Sequence, residues 1–242
     1  MTVTWEELGW ERLAAGVGRC RLPVWDCTAG LVVGAGAALV IDAGPSLAEG
    51  SRVRARAQEI AGHRVTHLAL THPHFDHVFG AAAFAGAEVF GAVGVETVLA
   101  ARHGRADLRA DAVGNGLDAR LADEAVDALT VPHHHVSGEW TLDLGGGRQV
   151  LLANVGPAHT AHDLAVLVPG SPEVVFCGDL VEESGEPQAG PDAVPSHWPA
   201  ALDRLLELGG EDALYVPGHG AVVDAAFVRR QRDALAGRFG VS

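Results

Sequence analysis

Apolar residues in this chain come in short runs, each brought to an end by Gly, Pro, Asp or His. Leu31-Val32-Val33 and Ala38-Leu39-Val40-Ile41 read as two strands, with Gly34-Ala35-Gly36 as the hairpin turn between them. Glu139 to Leu144 and Arg148 to Val155 flank Gly145-Gly146-Gly147 and read as a second hairpin. Further runs of strand length are Val65 to Leu70, Val174 to Asp179 and Ala213 to Val216. Elsewhere the period is helical. Pro45-Ser46 opens a helix through Val53, Ala57 and Ile60, and Leu202, Leu205, Leu206 and Leu208 mark another after Pro199. Asp224 to Arg238 carries Phe227, Val228 and Leu235 among several arginines, as an amphipathic helix does. Strands, a helix, then strands and helices again predict an α/β chain with two β-rich halves.

Composition narrows the functional classes. The 242 residues are 48% hydrophobic, enough for a substantial core, and are expected to form a single domain over 1–242. A net charge of −14 speaks against a nucleic-acid partner, because a phosphate backbone needs a basic footprint. No apolar run reaches the length of a membrane span, so no membrane partner is expected. Met1-Thr2-Val3-Thr4-Trp5-Glu6-Glu7 starts acidic rather than as a signal peptide, and a cytoplasmic location is the expectation. Cys20, Cys27 and Cys177 make an odd count and no disulfide framework. The oligomeric state stays open, and the expected partner is a small-molecule substrate.

The candidate chemistry lies in Thr71-His72-Pro73-His74-Phe75-Asp76-His77, three imidazoles and a carboxylate directly after a strand-like run. Imidazole nitrogen and carboxylate oxygen are ligands of choice for zinc and similar divalent metals. In an extended segment His72 and His74 would project to one side, whereas the adjacent Asp76 and His77 diverge and could serve a second centre nearby. Three further candidates stand at ends of apolar runs beside Gly or Pro: His159 in Gly156-Pro157-Ala158-His159-Thr160, Asp179 after Gly178, and His219 in Pro217-Gly218-His219-Gly220. The ends of strands are where open α/β proteins place their chemistry.

Taken in order, these residues resemble the metallo-β-lactamase-fold hydrolase superfamily. The family pattern is an Asp-Gly strand end, His-x-His-x-Asp-His, a Gly-x-x-His-Thr turn, a Gly-Asp strand end and a Gly-His-Gly turn. Here the first element is Val40-Ile41-Asp42-Ala43-Gly44, with Ala43 inserted before the glycine, and the match runs from about residue 30 to residue 221. The resemblance implies a four-layer αββα sandwich with metals at one edge. Residues 94–135 are less regular in pattern and read as a helical insert over the site. It implies two zinc ions, with iron or manganese as alternatives. One ion would sit on His72, His74 and His159, the other on Asp76, His77 and His219, with Asp179 bridging. Asp42 would support the ligand loop from behind, and Asp76 and Asp179 would be the catalytic carboxylates.

Two ions held in this way can share a water and lower its pKa towards neutrality, yielding a bridging hydroxide that attacks an ester, thioester, lactone or amide-type bond. A carboxylate at Asp179 looks like the glyoxalase II and lactonase-like branch more than the true β-lactamases, which typically have Cys or Ser there. The alternatives are a mononuclear iron persulfide dioxygenase, although Leu180 to Gly185 lacks the Gly-Cys-Gly-Arg segment expected of one, and a metal-binding protein without activity. Trp25, His162, His197 and Trp198 are the candidates for the substrate side. Trp198 at a helix start also suits packing. His133-His134-His135 reads as an exposed loop after Pro132.

Overall fold

The computed structural model describes residues 4–241. Its first half is a seven-stranded sheet, with the strands side by side in chain order: β1 (Glu11–Ala14), β2 (Val17–Arg21), β3 (Thr28–Val33), β4 (Ala38–Ile41), β5 (His67–Ala69), β6 (Glu88–Ala92) and β7 (His134–Val136). Hairpins make β1 to β4 antiparallel, and crossovers make β4 to β7 parallel. The crossover from β4 to β5 is helix α1 (Leu47–Ala61), whose Ser46 side chain accepts the Glu49 N–H while Gly62 closes the other end in the left-handed region. A short helix α2 (Phe75–Val78) follows β5. Between β6 and β7 lie α3 (Glu96–Leu99), α4 (Arg102–Gly114) and α5 (Ala119–Asp127).

The second half is a five-stranded sheet: β8 (Glu139–Asp143), β9 (Gln149–Asn154), β10 (Leu164–Val168), β11 (Val174–Glu182) and β12 (Leu214–His219). Its strands are antiparallel except for β11 and β12, which helix α6 (Trp198–Gly209) connects in parallel. Helix α7 (Ala225–Phe239) follows, capped by Asp224.

Alternation along the strands explains the layers. Val32, Leu39, Ile41 and Phe90 of one sheet meet Leu152, Val166, Phe176 and Val216 of the other in a dry central layer. Leu31, Val40 and Leu68 point outward to Val53, Leu108 and Ala122 of the helices. Val175, Tyr215 and Ala165 do the same towards Trp198, Leu202 and Val228. Strands β4 and β10 are buried on every residue, as strands covered on both faces should be. The result is helix, sheet, sheet, helix. Among the described residues no helix is long and apolar enough to cross a membrane.

Three local expectations are corrected. The insert over 94–135 is helical as expected but more regular than its pattern suggests, holding three helices that pack on one another and on the first sheet. His134 and His135 are not loop but edge strand, with His134 stacked on Phe90 at a centroid distance of 4.5 Å; an edge strand with one covered neighbour carries no apolar alternation to announce it. Strand β11 does not stop at Asp179 but runs on to Glu182, kinked at Gly178, where the pairing with β12 shifts register.

Candidate metal centre

Strand ends gather the candidate ligands. Ile41 ends β4 and Asp42 follows at φ 59; β5 ends at Ala69 and the chain turns through His72 to His74. His74 is extended and precedes α2, which carries Asp76 and His77. From the other sheet come His159, in the loop after β9, Asp179 at the kink of β11, and His219 as the last residue of β12. Their side chains form two groups, His72, His74, His159 and Asp179 in one and Asp76, His77 and His219 in the other; within each, the donor atoms lie no more than 4.8 Å apart. Asp179 faces both. Its Oδ1 is 3.2 Å from His77 Nε2, and its Oδ2 is 3.3 Å from His219 Nε2 and 3.6 Å from the Nε2 atoms of both His72 and His159.

Each of the five imidazoles is held from behind through one ring nitrogen. His77 Nδ1 donates to Asp42 Oδ2 at 2.9 Å. Thr71 donates its hydroxyl to Asp42 and accepts from His72 Nδ1 at 3.0 Å. His219 Nδ1 donates to the carbonyl of Trp25 at 2.7 Å, and His159 Nδ1 to that of Gln188 at 3.1 Å. His74 is reversed, with Nε2 on Asp192 Oδ2 at 3.0 Å and Nδ1 turned towards His159 Nε2, 3.1 Å away. These partners occupy one nitrogen of each ring and turn the other to the common space, where it could bind a metal once any proton on it has left.

The residues fit divalent metal. His72 Nε2, His77 Nε2 and Asp179 Oδ1 are buried and have no hydrogen-bond partner, although His72 and His77 are each anchored through Nδ1. Unpaired buried polar atoms are costly, and a pair of cations would satisfy all three at once. Close backbone approach serves the same geometry. A Cβ on Gly218 would stand 1.8 Å from Asp179 Oδ1, and one on Gly178 2.8 Å from Thr71 Oγ1.

Without metal, the electrostatics split the histidines. Burial keeps His72 well below the ordinary imidazole range and brings His159 down to about 4. Burial acts the same way on His77 and His219, but the carboxylates of Asp179 and Asp76 outweigh it, lifting His77 well up and His219 to about 11. Asp192 lifts His74 against its burial. Burial also opposes the charge on Asp179, yet His77, His72 and His219 together hold its carboxyl well below the usual range.

Other singled-out residues take different places. Asp163 braces the His159 turn, accepting from Ala158 N, Thr160 N and the Thr160 hydroxyl. Burial pushes its carboxyl up to about 7 against those three donors. Cys177 is buried with its thiol turned to the Val175 carbonyl, away from the ligands. Trp25 lies half-buried beside the centre, its ring edge-on to Phe75 at 5.4 Å and its Nε1 donating to Asn115 O of the residue that ends α4. Trp198 takes the packing role and not the substrate side: it is wholly buried, donating to Leu180 O and packing behind His159 at 5.3 Å, because helix α6 turns its first residue into the core. His162 turns away onto Gly94 and the Val93 carbonyl, and His197 stands exposed on the turn Pro195–His197. Asp192 and Gln188 were not legible beforehand, lying in an irregular stretch without any pattern.

The family model of the metallo-beta-lactamase superfamily matches residues 22–219. No curated protein matches the chain. Solved structures with the same fold include a metallo-beta-lactamase from Pontibacter korlensis, 19% identical over 93% of this chain and 97% of that one, with a TM-score of 0.70. Another, from Hirschia baltica, is 15% identical over 93% and 96%, with a TM-score of 0.68. FIM-1 from Pseudomonas aeruginosa, solved in its mono-zinc form, is 19% identical over 96% of each chain, with a TM-score of 0.67. At these identities the likeness establishes the fold. With the family match spanning both sheets and every candidate ligand, and two His/Asp groups gathered at the strand ends, the chain belongs to the metallo-beta-lactamase superfamily and is one of its metal-dependent hydrolases.

Proposed function

We propose that the chain is a binuclear zinc hydrolase cleaving an ester, thioester, lactone or amide-type bond of a small molecule. The observation that carries this reading is the anchoring of five imidazoles from behind, each leaving one nitrogen free towards a space that Asp179 shares. His72, His74 and His159 would hold one ion, Asp76, His77 and His219 the other, and Asp179 would touch both. When bound, such a pair supplies Lewis-acid polarisation and an acidified water. The chain's own residues orient the rest. Asp76 Oδ2, 3.3 Å from His219 Nε2, and the two oxygens of Asp179 fix the negative charge around which the site is built.

A carboxylate at Asp179, rather than a thiol or hydroxyl, supports the glyoxalase II and lactonase-like branch within the superfamily. Two complete ligand groups favour this reading over a mononuclear iron enzyme. The test is elemental analysis of protein purified without added metal, followed by hydrolysis assays. About two zinc per chain, lost together with activity in His72→Ala and Asp179→Ala, is the expected result. One iron per chain, or full activity in either variant, would overturn the reading.

A further inference from the structure

Carboxylates outnumber arginines on the segments that flank the opening of the metal centre. His72 and His77 are sealed, while His74, Asp179 and His219 keep partial exposure, so the site opens on their side. Three segments supply residues that flank them. The loop 22–27 brings Trp25 onto His219, the C-terminal end of α4 meets Trp25 at Asn115, and the stretch after β11 brings Gln188 to His159 and Asp192 to His74. On these segments stand Asp26, Asp111, Glu182, Glu183 and Asp192. Asp192 touches His74 directly, Glu182 pairs in register with His219, and Asp111 is held by Asn115 one turn along α4.

Nearby cations are mostly committed, one of them to the rim itself. Every one of the 17 basic residues is arginine, since the sequence contains no lysine. Arg21 is forked onto Asp26, which leaves Asp111, Glu182, Glu183 and Asp192 as the rim carboxylates without an arginine partner, and Arg109 is forked onto Asp123 of α5. Arg19 is buried on Glu11 and the Gly220 carbonyl, and Arg238 is bonded to the Pro187 carbonyl. At the floor, the unpartnered Asp179 Oδ1 and His72 and His77 nitrogens mark where the metal ions would sit.

We infer that the site selects substrates whose remote portion is uncharged or cationic, and disfavours those that carry a carboxylate or phosphate away from the scissile bond. This rests on the hydrolase reading above and adds to it the class of substrate. Two divalent ions would make the floor attractive to a polarised carbonyl, but an anionic tail must lie along a rim where carboxylates outnumber guanidiniums. Neutral lactones and simple acyl esters or thioesters meet that requirement. Lactams and thioesters bearing free carboxylates do not.

The test uses three 4-nitrophenyl esters whose acyl chains end in methyl, trimethylammonium or carboxylate, with zinc-loaded enzyme. At low salt the carboxylate ester should show a kcat/KM lower by about tenfold or more, with the gap closing at high salt as screening removes the repulsion. Asp111→Arg should raise the carboxylate ester relative to the other two. A carboxylate ester turned over as well as its neutral twin at low salt would overturn the inference. A second readout does not depend on turnover: the fluorescence quenched in the protein but not in Trp25→Phe. Caesium should quench this component better than iodide, each normalised to a free tryptophan amide; iodide quenching equal or greater overturns the inference. If no ester is cleaved while the caesium preference holds, it is the hydrolase reading that fails, not the charge selection.

Discussion

Asp42 grips His77 from outside the ligand group: its Oδ2 accepts the Nδ1 proton at 2.9 Å, while Oδ1 takes the Thr71 amide at 2.8 Å. One carboxylate therefore aims a ligand and fixes the turn that leads to it. Asp42 itself sits at φ 59, a conformation asparagine also tolerates, so Asp42→Asn changes the charge without forcing the backbone. The expected outcome is a roughly 10–100-fold loss of zinc affinity with the fold retained. Chelator competition monitored by zinc release checks it; unchanged affinity would remove Asp42 from the metal-supporting set.

Removing metal should loosen the molecule as well as silence it. A ligand that binds only the folded state at a concentration 100 times its Kd adds about 2.7 kcal/mol. For a chain of this length that corresponds to roughly 5–10 °C in Tm. Thermal melts with and without a chelator test this, and readdition of zinc should restore the difference. A melting temperature indifferent to zinc would count against a built centre.

The two ligand groups should respond differently to acid. A proton on a ring nitrogen must leave before that nitrogen can bind metal. In the metal-free protein the carboxylates keep His77 and His219 protonated at neutral pH, with His219 at about 11. His159, at about 4, and His72 are already neutral there, and only His74 of their group is raised. Affinity falls as pH drops by roughly tenfold per unit for each proton displaced, so the Asp76, His77 and His219 group has the steeper slope. Equilibrium dialysis across falling pH should show an intermediate holding about one zinc per chain before the second ion leaves. Simultaneous loss of both would contradict the assignment of charges.

Gly218→Ala is the sharpest steric probe. Its methyl would meet Asp179 Oδ1 at 1.8 Å, so the carboxylate must move. A displacement of about 1 Å at a reacting centre costs on the order of 100-fold in rate. Circular dichroism should remain that of the folded protein while kcat falls by about that factor. Wild-type turnover in the variant would show that Asp179 is not held at the position the glycine allows.

Much of this was legible in the residues because the chemistry is compressed into strand ends. Apolar runs announce where each strand delivers the chain, and the histidines and aspartates stand directly beyond, so the ligand groups could be read before any fold was known. The outer partners could not. His219 and His159 are held by main-chain carbonyls of Trp25 and Gln188, and every residue has a carbonyl. Asp192 is a single carboxylate in a stretch without periodicity, 118 residues from the His74 ring it holds. Trp25 drew notice for its indole, whereas its carbonyl makes the bond to the ligand. Strand β11 was cut short because Gly178-Asp179 resembles a stop; the kink there turns the strand without ending it, and Leu180 and Val181 are buried beyond it.

The division of ligands between the sheets has a consequence for how the molecule can be taken apart. His72, His74, Asp76 and His77 follow β5, and His159, Asp179 and His219 belong to the strands that begin after Gly138. A cut near that glycine would leave two fragments, each with a sheet and its own helices, and neither with a complete set for either ion. Activity would then be a logical conjunction of the two fragments. Expressed separately, they would form a zinc-gated complementation pair, silent apart and switched on only by reunion.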